Sequence, residues 1–220
     1  MQLDLKELTP VLAFNYAPAH YIDPSWLEGL ADAKVVKALT EQPLGIPWAS
    51  RYILNAYGLH GAGDLQFERP VKKLALLDQK QLTQIVYHAG LALNGPLLRR
   101  FIKRQERAAV QACLGERGYQ YALKKGPFLA GDLPERFSSN FVMDWAATAE
   151  LKKHIFRTGM RLLGRVFARE PECFKKRLLF KFPMPSKEYF YAGSITDRTD
   201  DDVSRSGEVM LCKLIREFAS

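Results

Sequence analysis

The sequence predicts a mainly α-helical protein: a single helical domain over residues 1–220 with at most a small two-stranded β element. Three observations support this fold class. Apolar residues recur at spacings of three and four in several segments, which is the period of a helix. Prolines and glycines lie at the ends of those segments, where helices start and stop. Only two short aromatic runs alternate as a strand does.

The first quarter of the chain predicts one extended segment and two helices. Residues 11–17, "VLAFNYA", form the first aromatic run and are predicted to be extended. Asp23 is a good N-cap and is followed by proline, so a helix is predicted from about Pro24 to Glu41. A shorter helix is predicted from Pro47 to Tyr57. The glycines of 59–70 predict a loop.

The middle of the chain predicts two helices that meet at a corner. Asp78 can cap a helix with one apolar side, and Asn94-Gly95-Pro96 ends it. A second helix is predicted from Pro96 to about Leu114. The stretch 124–134, "KKGPFLAGDLP", is predicted to be a loop.

The last third predicts the longest helix, a strand, a loop and a final helix. A long amphipathic helix is predicted over about 140–169. Residues 175–185 form the second aromatic run, which could be a strand paired with residues 11–17. An acidic loop is predicted over about 194–206, and an amphipathic helix from about Gly207 to Phe218.

A row of arginines is the most pronounced feature of the long helix. Arg157, Arg161, Arg165 and Arg169 recur every four residues and therefore share one arc of the helix, while large apolar side chains occupy the other side. Guanidinium groups suit carboxylates and phosphates. The row is either a docking surface for an acidic partner, a solvated face, or the internal partner of acidic residues such as Asp200–Asp202.

No recognisable catalytic or cofactor motif occurs, so no enzyme activity and no cofactor are expected. The four histidines have no metal-like spacing, and His88 fits a structural or surface role. No apolar run is long enough to span a bilayer. The three cysteines are far apart, which indicates reduced thiols in a cytosolic protein.

The charge is unevenly distributed along the chain. Lys and Arg outnumber Asp and Glu by 32 to 24, a net charge of +8, and the whole excess lies after residue 80. A basic region of this kind predicts an acidic partner, either an acidic protein, anionic lipid or nucleic acid. Nucleic-acid binding is the weaker alternative, because the aromatic side chains of the long helix lie on its apolar side and not among the arginines.

Four segments resemble a known family when taken in order. They are "FNYAPAHYIDPSWL" (14–27), "HAGLALNGPLLRRFI" (88–102), "KKRLLFKFP" (175–183) and "LCKLIREF" (211–218). This order resembles the SctK family, the YscK-like K subunits of the sorting platform of bacterial type III secretion systems. The arginine row is not a feature that the resemblance explains.

The resemblance implies a non-enzymatic cytosolic adaptor or scaffold. It would bridge the cytoplasmic domain of the inner-membrane ring protein, the D subunit, and the pods formed by the Q subunit. Such a protein lies at the cytosolic face of the inner membrane without inserting into it. The resemblance also offers a role for the corner, in which Leu97, Leu98 and Phe101 pack inward and Arg99 and Arg100 are displayed outward; the alternative is a corner with no partner. Arg99, Arg100 and the four arginines of the row are then candidate protein-interaction residues, and no nucleic acid is expected as a partner.

Overall fold

The computed structural model describes residues 5–137, 141–145, 147–194 and 201–219. Every regular element within them is helical and none is a strand, which confirms the mainly α class. Short segments of tighter helix lie at Pro18–His20, Pro24–Trp26 and Pro70–Leu76, and a short segment of wider helix lies at Tyr121–Lys125. The α-helices are α1 (Leu5–Tyr16), α2 (Ala33–Thr40), α3 (Ile46–Ala56), α4 (Gln79–Leu93), α5 (Gly95–Arg99), α6 (Arg104–Leu114), α7 (Glu116–Gln120), α8 (Gly126–Ala130), α9 (Leu133–Arg136), α10 (Ala149–Val166), α11 (Glu172–Leu179), α12 (Ser186–Ser194) and α13 (Asp201–Phe218).

The predicted pairing of two strands is wrong, because residues 11–16 lie in α1 and residues 175–179 lie in α11. In α1, Val11 and Phe14 are buried on one side at helical spacing. In the second segment the alternation of basic and apolar residues is misleading, because Arg177 is fully buried. Alternation indicates a strand only when the polar residues face solvent.

Two helices that were predicted to be continuous are each divided in the structure. The helix predicted over 24–41 is a short turn followed, after Gly29, by α2. Asp23 does cap that turn, accepting from the backbone N–H of Ser25 at 3.0 Å. The indole N–H of Trp26 donates to the carbonyl oxygen of Phe182 at 2.8 Å, which fixes the turn in place. The helix predicted over 96–114 is likewise divided, into α5 and α6.

The loop predicted over 124–134 is wrong, because α8 and the start of α9 occupy it. The glycine at position 126 predicts a loop, but in the structure Gly126 is a packing residue, because a Cβ there would lie 2.9 Å from the Cα of Ala92. Only Gly131, with a φ of +51°, makes a turn, and it separates α8 from α9.

The long helix is shorter than predicted at both ends. Residues 141–145 are not helical, and α10 begins at Ala149. Phe141 instead stacks on His154, with ring centroids 4.2 Å apart, so the chain folds back along the helix. At the other end Pro171 restricts the preceding residue, and α10 ends at Val166 instead of 169.

The predicted acidic loop over 194–206 is wrong from residue 201 onward, because α13 begins at Asp201. Asp201 and Asp202 lie in its first turn, where the helix dipole favours negative charge. Residues 195–200 lie outside the described residues. The predicted C-terminal helix is confirmed with a longer N-terminal part, and it ends at Phe218 as expected.

The chain divides into two compact units. The first consists of Met1–Leu82 and Arg169–Lys187, and the second of Thr83–Ala168 and Glu188–Ser220. The prediction of one domain over residues 1–220 stays a prediction.

Buried basic side chains hold the first unit together. Arg177 donates hydrogen bonds to three carbonyl oxygens from separate parts of the unit, those of Asn15 at 2.9 Å, Cys173 at 3.0 Å and Leu59 at 3.1 Å. A guanidinium group has five donors in a planar fork, and here it joins α1, α11 and the loop after α3. The segment that was predicted to be a strand therefore contains the arginine whose hydrogen bonds join the parts of this unit.

Two buried lysines complete this polar framework. Lys72 forms ion pairs with Asp64 at 2.7 Å and with Glu170 at 3.1 Å, and all three side chains are at most 10% exposed. Lys181 donates to the carbonyl oxygen of Leu77. Burial lowers the pKa of Lys181 to about 8, and the negative charge of Asp78 partly opposes that shift.

Helix α10 is the central element of the second unit, and glycines bring its neighbours close. A Cβ at Gly90 of α4 or at Gly159 of α10 would lie 2.0 Å from a carbonyl oxygen of the opposite helix. Gly164 of α10 and Gly193 of α12 form a second reciprocal contact, at 1.9 and 2.0 Å. Two neighbouring helices are thereby positioned against α10 with little freedom to shift. The buried cluster near the N-terminal half of α10 comprises Leu91, Leu98, Val110, Leu114, Tyr119, Ala122, Leu151 and Ile155.

Candidate functional site

Helix α10 separates into a buried side and a cationic side. Arg157, Arg161 and Arg165 lie on the side away from the core and are half-buried. The buried residues of α10 are Leu151, Ile155, Thr158, Gly159, Met160, Leu162, Leu163, Gly164 and Val166. This arrangement agrees with the two faces that the sequence predicts.

A groove with a cavity of about 390 Å³ opens beside the first turns of α10. Among the described residues, no acidic side chain lines it. Arg157 lies over the ring of Tyr189, with 5.1 Å between the guanidinium carbon and the ring centre, which is a cation–π distance. We call its six lining residues the α10 groove: Tyr87 of α4, Lys152, Lys153, Phe156 and Arg157 of α10, and Tyr189 of α12.

The local electrostatic field is positive. Lys153 pairs with Glu150 at 2.6 Å, and this hydrogen bond holds the pKa of the Glu150 carboxyl below its usual value. Arg157 and Arg161 form no ion pair with any of the described residues, the acids at the start of α13 included. The pKa of His154 is lowered by burial first and by these two arginines second, so its ring is neutral at pH 7. The site therefore suits a ligand that carries negative charge.

The corner after α4 connects to α10 through a polar contact. Asn94 is buried, and its amide oxygen accepts a hydrogen bond from Nε2 of His154 at 3.0 Å. Arg99 and Arg100 are exposed, and Arg99 donates to the carbonyl oxygen of Leu123 at 3.0 Å. Arg99 thus has a structural contact, whereas Arg100 lines only a small cavity of about 50 Å³.

The apolar residues of the corner behave as predicted. Leu98 is fully buried, and Leu97 and Phe101 are half-buried. The Phe101 ring meets Trp145 edge-on at 5.3 Å. This contact gives a physical reason for the chain to leave its helical path between α5 and α6.

The six predicted interaction residues do not form one site. Arg157 and Arg161 lie at or next to the α10 groove, and Arg165 continues their row by one turn. Arg169 lies in the turn beyond the end of α10 and belongs to the first unit, so it does not extend the row. Arg99 and Arg100 lie on α5 and just after it.

Comparison with known proteins assigns the chain to a family. The family model described as YOP proteins translocation protein K (YscK) matches residues 8–220, nearly the whole chain. The chain belongs to the YscK family. YscK proteins are type III secretion proteins, and the family is one of structural proteins and not a known family of enzymes. No curated protein and no solved structure matches the chain.

The described residues of this YscK-family chain contain neither a membrane-spanning helix nor a group of metal-ligating side chains. Within the part of the chain that the structure describes, no helix has both the length and the apolar character needed to cross a membrane. No group of three or more His, Cys, Asp or Glu side chains among those residues is placed to hold a metal ion.

Five of the six residues that line the α10 groove were not among the predicted interaction residues. Lys153 precedes Arg157 by four residues and extends the arginine row backward, a signal that was available in the sequence. Tyr87 and Tyr189 carry no such signal, because they come from two other helices that the glycine contacts bring to α10.

Proposed function

We propose that this YscK-family chain is a non-enzymatic adaptor of the type III secretion sorting platform. It bridges the cytoplasmic domain of the inner-membrane ring D subunit and the pods of the Q subunit, at the cytosolic face of the inner membrane. Membership of the family supports the secretion role. The choice of these two partners follows from the resemblance to K subunits of that platform.

One observation carries the proposal that α10 is a docking surface. The side of α10 opposite the core carries Lys153, Arg157, Arg161 and Arg165, and it borders a groove whose described lining includes no acidic residue. Arginines in a fixed row suit the carboxylates of an acidic protein surface, because each guanidinium group can hold a carboxylate with two hydrogen bonds. The aromatic walls add apolar area, which is typical of protein interfaces. The α10 groove and the arginines next to it therefore dock an acidic surface of one of the two partners.

A double charge reversal tests this surface. Arg157→Glu with Arg161→Glu replaces two cations that form no ion pair with a described residue, so the fold should be retained while like charges face the partner. Binding to the purified D-subunit cytoplasmic domain or to the purified Q subunit should weaken at least about tenfold for one of them, a loss of about 1.4 kcal/mol. Biolayer interferometry measures the affinity, and circular dichroism checks the fold.

The matched control is Arg104→Glu with Arg107→Glu on α6. Both arginines are exposed in the same unit and form no ion pair among the described residues, so the change in net charge is identical. This control should bind both partners as the unmodified chain does. Equal affinities for the two double variants would rule out the α10 surface.

Cations interleaved with aromatic rings also suit single-stranded nucleic acid, which makes a gel-shift experiment a necessary part of the test. Sub-micromolar binding of random single-stranded RNA or DNA that weakens steeply between about 50 and 200 mM salt would contradict the adaptor proposal. We expect no such binding, and no comparison supports that alternative.

A further inference from the structure

The hairpin formed by α2 and α3 carries an apolar surface that no described part of its own unit covers. Leu44 is 90% exposed, Trp48 66% and Val35 59%. Pro43 and Pro47 beside them are exposed as well. We call these five residues the hairpin patch. It belongs to the first unit, and the α10 groove belongs to the second.

The hairpin patch stands on a well-packed support. Gly45 lets the link between the helices pass close to α2, because a Cβ there would lie 2.5 Å from the carbonyl oxygen of Leu39. Ala49 of α3 is fully buried, and the Tyr52 hydroxyl donates to Asp32 at 3.0 Å across the hairpin. The exposed side chains therefore project from a defined surface, so a partner would lose little entropy in ordering it.

The type of residue exposed points to protein binding. Isolated apolar residues are normal on a surface, but here a leucine, a tryptophan and two prolines lie within residues 43–48, and a valine of the neighbouring helix is exposed as well. Tryptophan is among the residues most enriched at the energetic centres of protein interfaces. Trp48 and Leu44, the two most prominent members, are the natural anchors.

The charges around the hairpin patch decide which partner fits. Lys34, Lys37 and Arg51 are exposed, and none of them pairs with a described acid. Two acids of the hairpin are exposed, Asp32, which accepts the Tyr52 hydroxyl, and Glu41, so the three cations leave a net positive charge. A second copy of this chain would bring the same net positive charge to a two-fold contact, and like charge on both sides is unfavourable. The rim instead complements acidic side chains.

We propose that the hairpin patch docks an apolar segment of a different protein, one flanked by Asp and Glu residues. Trp48 and Leu44 insert between the apolar side chains of that segment, and Lys34, Lys37 and Arg51 contact its acids. This inference goes beyond the function proposed above and does not depend on the α10 groove, because it concerns residues of the other unit.

Site-specific photo-cross-linking tests the identity of the occupant. The full chain carries p-benzoylphenylalanine in place of Trp48 in the bacterium that produces it, and mass spectrometry sequences the cross-linked peptide. The control carries the same group in place of Leu65, an apolar residue of the same unit that is 56% exposed. Position 48 should give one product absent at position 65, joined to an apolar segment with at least about two neighbouring acids.

Purified components then test the chemistry of recognition. A synthetic copy of the cross-linked segment should bind the purified chain and shift Trp48 emission to shorter wavelength. A twin peptide with Lys in place of its acids should bind at least about tenfold more weakly. The triple variant Lys34→Glu, Lys37→Glu and Arg51→Glu should reverse that preference, and circular dichroism should show an unchanged helix content.

Several results would overturn the proposal: a cross-link to a second copy of the chain, a segment without acids, equal binding of the twin peptides, identical products at positions 48 and 65, or no product at position 48. The α10 double variant separates this proposal from the adaptor proposal. The α10 double variant should keep the cross-link at position 48 whether or not it loses the partner that binds the α10 surface.

Discussion

Substituting Gly159 by alanine tests the packing that positions the α10 groove. Gly159 lies where α10 crosses α4, and a Cβ at this position would lie 2.0 Å from the carbonyl oxygen of Val86 and 2.9 Å from its carbonyl carbon. Both are backbone atoms, which cannot rotate away as the end of a long side chain could. The two helices would therefore have to separate.

The expected cost follows from that geometry. A carbon atom and a carbonyl oxygen approach to about 3.3 Å without strain, so the separation has to increase by more than about 1 Å. Overpacking of a well-packed core costs about 1–3 kcal/mol, and alanine recovers about 0.5–1 kcal/mol through its better helix propensity. Because the clash involves backbone on both sides, we expect a net loss near about 2 kcal/mol in the free energy of unfolding. Tyr87 on α4 would move away from Arg157, which should also weaken partner binding.

Urea unfolding followed by far-UV circular dichroism measures this loss. The control is Gly118→Ala on α7, where the new Cβ would meet Leu114 at 3.7 Å and Leu91 at 3.8 Å, both ordinary contacts. The control should be as stable as the unmodified chain or more stable by up to about 1 kcal/mol. If Gly159→Ala unfolded within about 0.5 kcal/mol of Gly118→Ala, the close helix crossing would be refuted.

Three further predictions concern ionisable side chains that are buried or half-buried. Lys72→Met should destabilise the chain by about 3–5 kcal/mol in urea unfolding, because Asp64 and Glu170 lose a buried partner; a loss below about 1 kcal/mol would contradict the ion-pair network. The pKa of Lys181 is lowered to about 8, so the folded chain releases this proton before the unfolded chain does. Its free energy of unfolding relative to Lys181→Met should therefore increase between about pH 8 and 10.5, and a difference independent of pH would contradict the burial. The lowered pKa of His154 means that the unfolded chain binds its proton more readily. Stability relative to His154→Gln should thus fall as the pH drops below about 6.5, and parallel pH profiles of the two proteins would refute this.

Local signals in the sequence were enough for the helical class and for several individual elements. The helix α3 was predicted from the residues at its ends, and α4 from its apolar spacing and from Asp78 before it. Asp78 does cap α4, accepting from the N–H of Gln81 at 2.7 Å. The two faces of α10 were also predictable, because a helix converts a spacing of four into a common side whatever surrounds it. These features depend on near neighbours in the chain.

Contacts between distant residues decided the elements that the sequence misassigned. Arg177 resembled the solvent-facing residue of a strand, and only the carbonyl groups of α1, α11 and an adjacent loop show why it is buried. Gly126 resembled a loop residue, and only the backbone of α4 shows that it is a packing residue. The same local pattern fits either structure, and contacts with distant parts of the chain decide between them.

One part of the candidate site was likewise predictable from the sequence, and the other part depended on the tertiary structure. The sequence by itself determined that Arg157 and Arg161 share a cationic side of a helix, because that relation is local. Only the tertiary structure brought Tyr87 and Tyr189 beside them and placed Arg169 off the row. Helix periodicity relates residues a few positions apart, whereas a groove between three helices depends on how closely their backbones approach, and the glycine contacts at Gly159 and Gly164 set that distance in the folded chain.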